Sequence, residues 1–336
     1  GAMLRTRRGA TALLLRHLRL LSKLRNLNES PASEEMYVVY RMLLSNADEE
    51  ISTESLRCML AYKKTWHLEV SDRLLRLCDN REYRDAMLNW DIRAHLDEMS
   101  DRADVLQLSG DLCRVAYGKL MYRKGRSART DQKTRRAGVL SFLSTFEGKE
   151  LEPFFALLMR EFVVHDGRDI DSSDSDSLIT AVTTGAADEQ YKWANVHLID
   201  DVSSVRTAVH SGYINMLRDT IQQLGFRAVP FLETSLSLVL SLLRMTYQEH
   251  VHKSTEGSKK GSRDVSEAKR LRNTCYKIFT LVFETYKDLT LDPKLVLTPL
   301  KDILVSASGD MAASLSRAER PSAMMEVLIS ISDTPV

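Results

Sequence analysis

The sequence predicts an all-α protein, on three observations. Apolar residues recur at steps of three and four in nearly every segment, and no run shows a convincing period-two alternation. The 336 residues include only 7 Pro and 14 Gly, which permits long helices and argues against a turn-dense β-sandwich. A chain of this length with 43% hydrophobic residues can bury a sizeable core unaided.

The first segment is basic. Between Leu4 and Arg25 it carries Arg5, Arg7, Arg8, Arg16, Arg19, Lys23 and Arg25, with no acid before Glu29. As a natural N-terminus it would suit a mitochondrial transit peptide; as an internal segment it is an amphipathic helix with Leu14, Leu18, Leu21 and Leu24 on one face. Gly1-Ala2-Met3 has the form of a scar left by tag removal, which favours the internal helix of a longer protein.

The stripes then follow in order. Met36, Val39, Tyr40, Leu43 and Leu44 predict one helix, and Leu56, Met59 and Leu60 the next. Leu74, Leu75 and Cys78 precede a long stretch with Val105, Leu106, Leu112, Val115, Ala116 and Leu120. Val139, Leu140, Leu143 and Phe146 come next, then Leu151, Phe154, Phe155, Leu158 and Phe162. In the second half, Tyr213, Ile214, Leu217, Ile221 and Leu224 form a stripe closed by Gly225 at C′. Leu236 to Leu243 is apolar enough for a helix buried on several sides, and Leu271, Cys275, Ile278, Phe279, Val282, Phe283 and Tyr286 make the clearest stripe. Asp292-Pro293 reads as N-cap and N1 of a further helix.

Connections such as the one around Gly148 are short, so neighbouring helices are antiparallel and the chain reads as consecutive hairpins. Stacked hairpins of about 40 residues suit a HEAT-like α-solenoid, with a compact bundle as the competing arrangement. Three polar stretches interrupt the helices: basic Lys119 to Arg136, acidic Asp166 to Ser177, and Lys253 to Glu267; each is expected to be an exposed loop. The expected organisation is a helical-repeat block over residues 1–165, an acidic disordered linker over 166–186, and a second block over 187–336.

Charge and cysteines bound the function. Charged residues make up 28% but sum to only +1, which excludes global disorder and a uniformly nucleic-acid-coating surface. Cys58, Cys78, Cys113 and Cys275 are far apart, without a C-x-x-C pair, and point to a reducing compartment. The apolar runs fall short of the roughly 20 residues that cross a bilayer, so no membrane partner is expected. No phosphate loop, dinucleotide fingerprint, nucleophile elbow or H-E-x-x-H motif is present, so neither catalysis nor a cofactor is expected. Of eight histidines only His250 and His252 are close, and an i, i+2 pair faces two sides of a helix, so no metal site is expected. Trp66, Trp90 and Trp193 lie beside cations; they either staple helix ends or stack on bases.

The basic stretch is the most informative surface feature. Lys119, Arg123, Lys124, Arg126, Arg129, Lys133, Arg135 and Arg136 face a lone Asp131, a cation density that binds phosphates by counterion release. A solvated charged loop is the other reading.

The residues around that stretch also carry a resemblance. Arg114-Val115-Ala116-Tyr117-Gly118-Lys119-Leu120-Met121, the basic loop, then Arg135-Arg136-Ala137-Gly138-Val139-Leu140-Ser141-Phe142-Leu143 resemble the corresponding run of the U3 small nucleolar RNA-associated protein 20 (DRIM) family. Glu150 to Leu158, Leu18 to Asn26, Glu34 to Tyr40, Ala61 to Lys64, Leu74 to Arg84, and Leu271 to Cys275 with Phe283 to Tyr286 are similar to further family stretches, in the same order. Leu27 stands where the family has proline. The resemblance implies an internal HEAT-repeat fragment of a large nucleolar protein. It implies a non-enzymatic scaffold of the small-subunit processome, in contact with preribosomal proteins, pre-ribosomal RNA and U3 RNA, without a small-molecule substrate. The isolated piece is expected to be monomeric. Periodicity alone fits equally well a transport or adaptor module that binds protein cargo.

Overall fold

The structure is a computed structural model that describes residues 7–24, 27–122, 129–163, 197–255, 261–307 and 322–332. The fold is all-α and solenoid-like: among the described residues every multi-residue element is helical, and one isolated antiparallel bridge joins Val163 to Leu198. The chain divides into two units. The first comprises Gly1–Arg160 with Val164–His197, the second Glu161–Val163 with Leu198–Val336. The expected acidic linker, 166–186, and Trp193 lie outside the described residues.

In the first unit, α1 (Arg7–Leu21) lies against α3 (Glu49–Leu60), which forms a hairpin with α2 (Ser33–Leu44). The Asp48 carboxylate opens α3 by accepting from the amides of Glu50 and Ile51 at 3.0 and 3.4 Å. Short helices α4 (Thr65–Leu68), α5 (Ser71–Cys78), α6 (Tyr83–Leu88) and α7 (Ile92–Glu98) lead to α8 (Arg102–Met121). Then come α9 (Arg129–Leu143) and α10 (Glu152–Met159), the latter with Pro153 in its first turn. α8 is the axis of this unit. Every residue from Leu108 to Leu120 is buried, under α2, α4, α5, α9 and α10. A helix enclosed on all sides shows no clean amphipathic stripe, and its charged residues must find partners inside. Gly118 has a specific reason to be glycine: a Cβ there would stand 2.8 Å from the Asn46 carbonyl oxygen, so α8 meets the end of α2 backbone to backbone.

The second unit holds α11 (Thr207–Leu224), α12 (Val229–Thr255), α13 (Gly261–Thr285), α14 (Thr298–Ser306) and α15 (Ala323–Ser332). Gly225 ends α11 with φ 54°, a left-handed value that glycine adopts without penalty. Tyr286 donates to the Gly225 carbonyl at 2.6 Å and ties that corner to the end of α13. Asp292 caps the next turn through the amides of Lys294 and Leu295, at 2.7 and 3.3 Å, as Asp-Pro predicts.

One expectation is corrected here. The polar stretch from Lys253 to Glu267 is mostly helical backbone, since α12 continues to Thr255 and α13 starts at Gly261. Lysine, serine and glutamate are tolerated in helices, and the long apolar stripes of both helices propagate the helical backbone. Thr207–Gln248 is long and apolar enough to cross a membrane by length and composition alone. It is broken at Gly225, and 56% of its most apolar window is buried within the fold.

Candidate nucleic-acid interface

The eight sequence-selected cations do not share one loop. Lys119 sits in the last turn of α8 and is 9% exposed. Its ammonium donates to the Cys78 carbonyl and, at 2.7 Å, to Asn80 Oδ1, and it lies 5.5 Å from the Tyr83 ring centroid. Burial pulls its pKa below the usual lysine value, against the opposing pull of Cys78 and Glu49. It pins α8 to the α5–α6 connection, which corrects the expectation of a loop residue. The buried stripe of α8 holds the backbone helical through position 121, so Lys119 turns inward with it.

Arg129, Lys133, Arg135 and Arg136 belong to α9, a second departure from the expected loop. The helix begins early because the 129–136 stretch is made largely of good helix formers and leads directly into the buried Val139, Leu140 and Leu143. Arg135 is 8% exposed with its guanidinium 5.6 Å from the Tyr122 ring centroid, and Arg136 is half-buried. Lys133 is exposed. Arg123, Lys124 and Arg126 lie outside the described residues, as does the side chain of Arg129. Of the described members, Lys133 therefore offers the most accessible charge.

A second basic surface lies on α1 and the turn that follows it. Arg8, Arg16, Arg19 and Lys23 are exposed, and Arg19 pairs with Glu50 at 2.9 Å. Leu18 is the α1 side chain driven fully into the core; Leu24, expected on the same face, is 47% exposed. Trp90 is buried with the Arg73 guanidinium 5.5 Å from its centroid, so it acts as a staple and offers no face for a base.

Inside the first unit are two charge networks that no motif announces. Asp111 of α8 is 1% exposed; Arg41 of α2 donates to it at 2.8 Å, and His67 Nε2 lies 2.9 Å from its other oxygen. Burial alone would push this carboxyl up, but Arg41, His67 and Arg114 outweigh it and hold the group well below the usual carboxylate range. Glu150 is wholly buried and accepts from Arg93 and Arg102 at 3.0 Å each and from the Glu147 amide at 3.0 Å. Their partners lie 44 to 70 residues away for Asp111, and 48 and 57 for the Glu150 arginines, a separation at which no local spacing is readable. Both networks lock helices together.

The four cysteines are buried and unpaired. Burial pushes the thiols of Cys58, Cys78 and Cys275 up to about 12, and Cys113 higher still, so all are thiols at neutral pH. Among the described residues no three His, Cys, Asp or Glu side chains converge as metal ligands.

Comparison with known families agrees with the ordered motifs. The family model described as U3 small nucleolar RNA-associated protein 20, N-terminal, matches residues 8–335, nearly the whole chain. This chain belongs to the U3 small nucleolar RNA-associated protein 20 family.

Proposed function

We propose that the chain is a non-enzymatic scaffold module of the small-subunit processome, acting in the nucleolus through contacts with preribosomal proteins, pre-ribosomal RNA and U3 RNA. The observation that carries this reading is the family match over residues 8–335; membership assigns a role in ribosome biogenesis. The architecture supports a scaffold, because its charged interior groups are committed to holding helices together. Precipitation of the tagged full-length protein from nuclear extract should enrich U3 RNA and pre-18S species. Recovery at the level of an unrelated nuclear RNA would sink the proposal.

RNA contact within this piece is proposed for Arg123, Lys124, Arg126, Arg129, Lys133 and Arg136, through phosphates rather than bases. Lys119 and Arg135 drop out because both cations are buried. Each phosphate contact should add about 0.7 to 0.9 to the slope of log affinity against log salt. Replacing Arg123, Lys124, Arg126 and Arg129 with alanine should flatten that slope equally for unrelated RNA sequences, read by fluorescence anisotropy. Equal slopes for variant and parent would move RNA contact elsewhere, the exposed cations of α1 being the next surface to test.

A further inference from the structure

α1 has two apolar sides, and among the described residues only one of them is covered. Leu18 is driven into the core, and α3 packs on that side of the helix. At 100° per residue, Leu13 and Leu20 point about 140° to 160° away from Leu18. Both are exposed, Leu20 by 62%, as are His17 between them and Leu24 in the turn that follows. Positions 13, 17, 20 and 24 follow one another at steps of four, three and four, the spacing of an a/d seam.

The charge along this seam is of one sign. Arg16 and Lys23 each stand one position before a seam residue. Both are exposed, and neither side chain has an ionic partner among the described residues. In paired helices that flanking position carries the charges that select the partner. α1 itself contains no acid, and Arg19, its cation with a carboxylate partner, is paired with Glu50 of α3. The uncommitted cations therefore run beside the uncovered leucines.

An occupant of this face must bury leucine and neutralise cations together. RNA answers the cations but leaves the leucines in water, because a phosphate backbone presents no hydrocarbon. A second copy of α1 brings the same cations and repels. A lipid surface is served by a broad apolar face, whereas here the side of Leu18 is sealed against α3 and the open strip is one seam wide, without an aromatic anchor. An acidic amphipathic helix meets both demands, with apolar anchors at three-four spacing and carboxylates on the flank. We propose that the outer face of α1 docks an acidic amphipathic helix of a partner protein. Apolar residues of that helix cover the seam of Leu13, His17, Leu20 and Leu24, and its carboxylates pair with Arg16 and Lys23. This goes beyond the RNA-linked reading above and does not depend on it.

The test uses the 336-residue chain and a fluorescein-labelled peptide of about four heptads, with leucine at a and d and glutamate at e and g. Glutamate on both flanks keeps the peptide from pairing with itself. A second peptide carries lysine at e and g. By anisotropy, the acidic peptide should bind the parent, and the lysine peptide should bind about tenfold more weakly or worse. Leu20→Gln with Leu24→Gln should weaken the acidic peptide about tenfold or more. The melting temperature of that variant should hold, because both side chains are already largely solvated. Arg16→Glu with Lys23→Glu should reverse the preference in favour of the lysine peptide. No binding of the acidic peptide, equal binding to the leucine variant, or an unreversed preference in the charge variant would each overturn the assignment. So would phosphatidylserine vesicles or oligouridylate that bind the parent and are lost with the leucine variant, since the leucines would then face lipid or RNA.

Discussion

Asp111→Ala is expected to destabilise the first unit by about 3 to 5 kcal/mol, the usual result of breaking a buried ion pair from one side. The cost arises because Arg41, itself buried, keeps its charge and loses the acceptor that stood 2.8 Å away. His67, fully buried, loses its partner at 2.9 Å in the same step. Asp111→Asn should cost less, since one oxygen can still accept from Arg41. Urea denaturation followed by circular dichroism checks both, and a loss below about 1 kcal/mol for the alanine variant would mean that the interior relaxes or hydrates around Arg41. The pH dependence has a definite sign. The folded pKa of Asp111 lies below its unfolded value, so the carboxylate's stabilisation is fully present above about pH 4 and is lost only as pH falls toward the folded value. The parent should therefore lose stability between about pH 4 and pH 2 more steeply than Asp111→Asn does.

Glu150→Ala should cost about 3 kcal/mol, read from the same denaturation curves. The carboxylate is fully buried and gathers three donors: Arg93 of α7, Arg102 of α8 and the Glu147 amide before α10. Glu147 and Glu150 form a reciprocal cap, so the turn at residues 148–151 loses its anchor along with both cross-links. The penalty stays below that at Asp111 because the freed guanidiniums reach water; Arg102 is already 60% exposed. Glu150→Gln should recover part of the loss by accepting from one arginine. Unchanged stability in Glu150→Ala would show that the cap alone, or packing of Phe154 and Phe155, holds α10 against α8.

Helix positions were legible in the sequence wherever a stripe is long. The stripe Leu271, Cys275, Ile278, Phe279, Val282 and Phe283 on α13, with Tyr286 just beyond it, and the stripe Tyr213, Ile214, Leu217, Ile221 and Leu224 on α11 are buried as the three-four spacing requires. Caps were legible too, because they are local: Gly225 and Asp292 act within a few residues of themselves. The ends of polar segments were not. Charged residues read as a loop when judged by composition, yet Arg129 to Arg136 and Gly261 to Glu267 are helical because the stripes beyond them propagate the backbone hydrogen bonds.

The all-α class and the family, through its ordered motifs, were legible in the chain alone, because periodicity and side-chain polarity are local properties. Tertiary structure alone decided which charges are available. Lys119 and Lys133 are both lysines in one basic run, but the first is bound inside beneath Tyr83 and the second faces solvent. Asp111 lies in the middle of α8 and Asp101 caps its first turn, yet one neutralises Arg41 in the core and the other accepts from the Ala103 amide at the helix end. A charge is assigned its role by partners many residues distant, and chain spacing does not encode those distances.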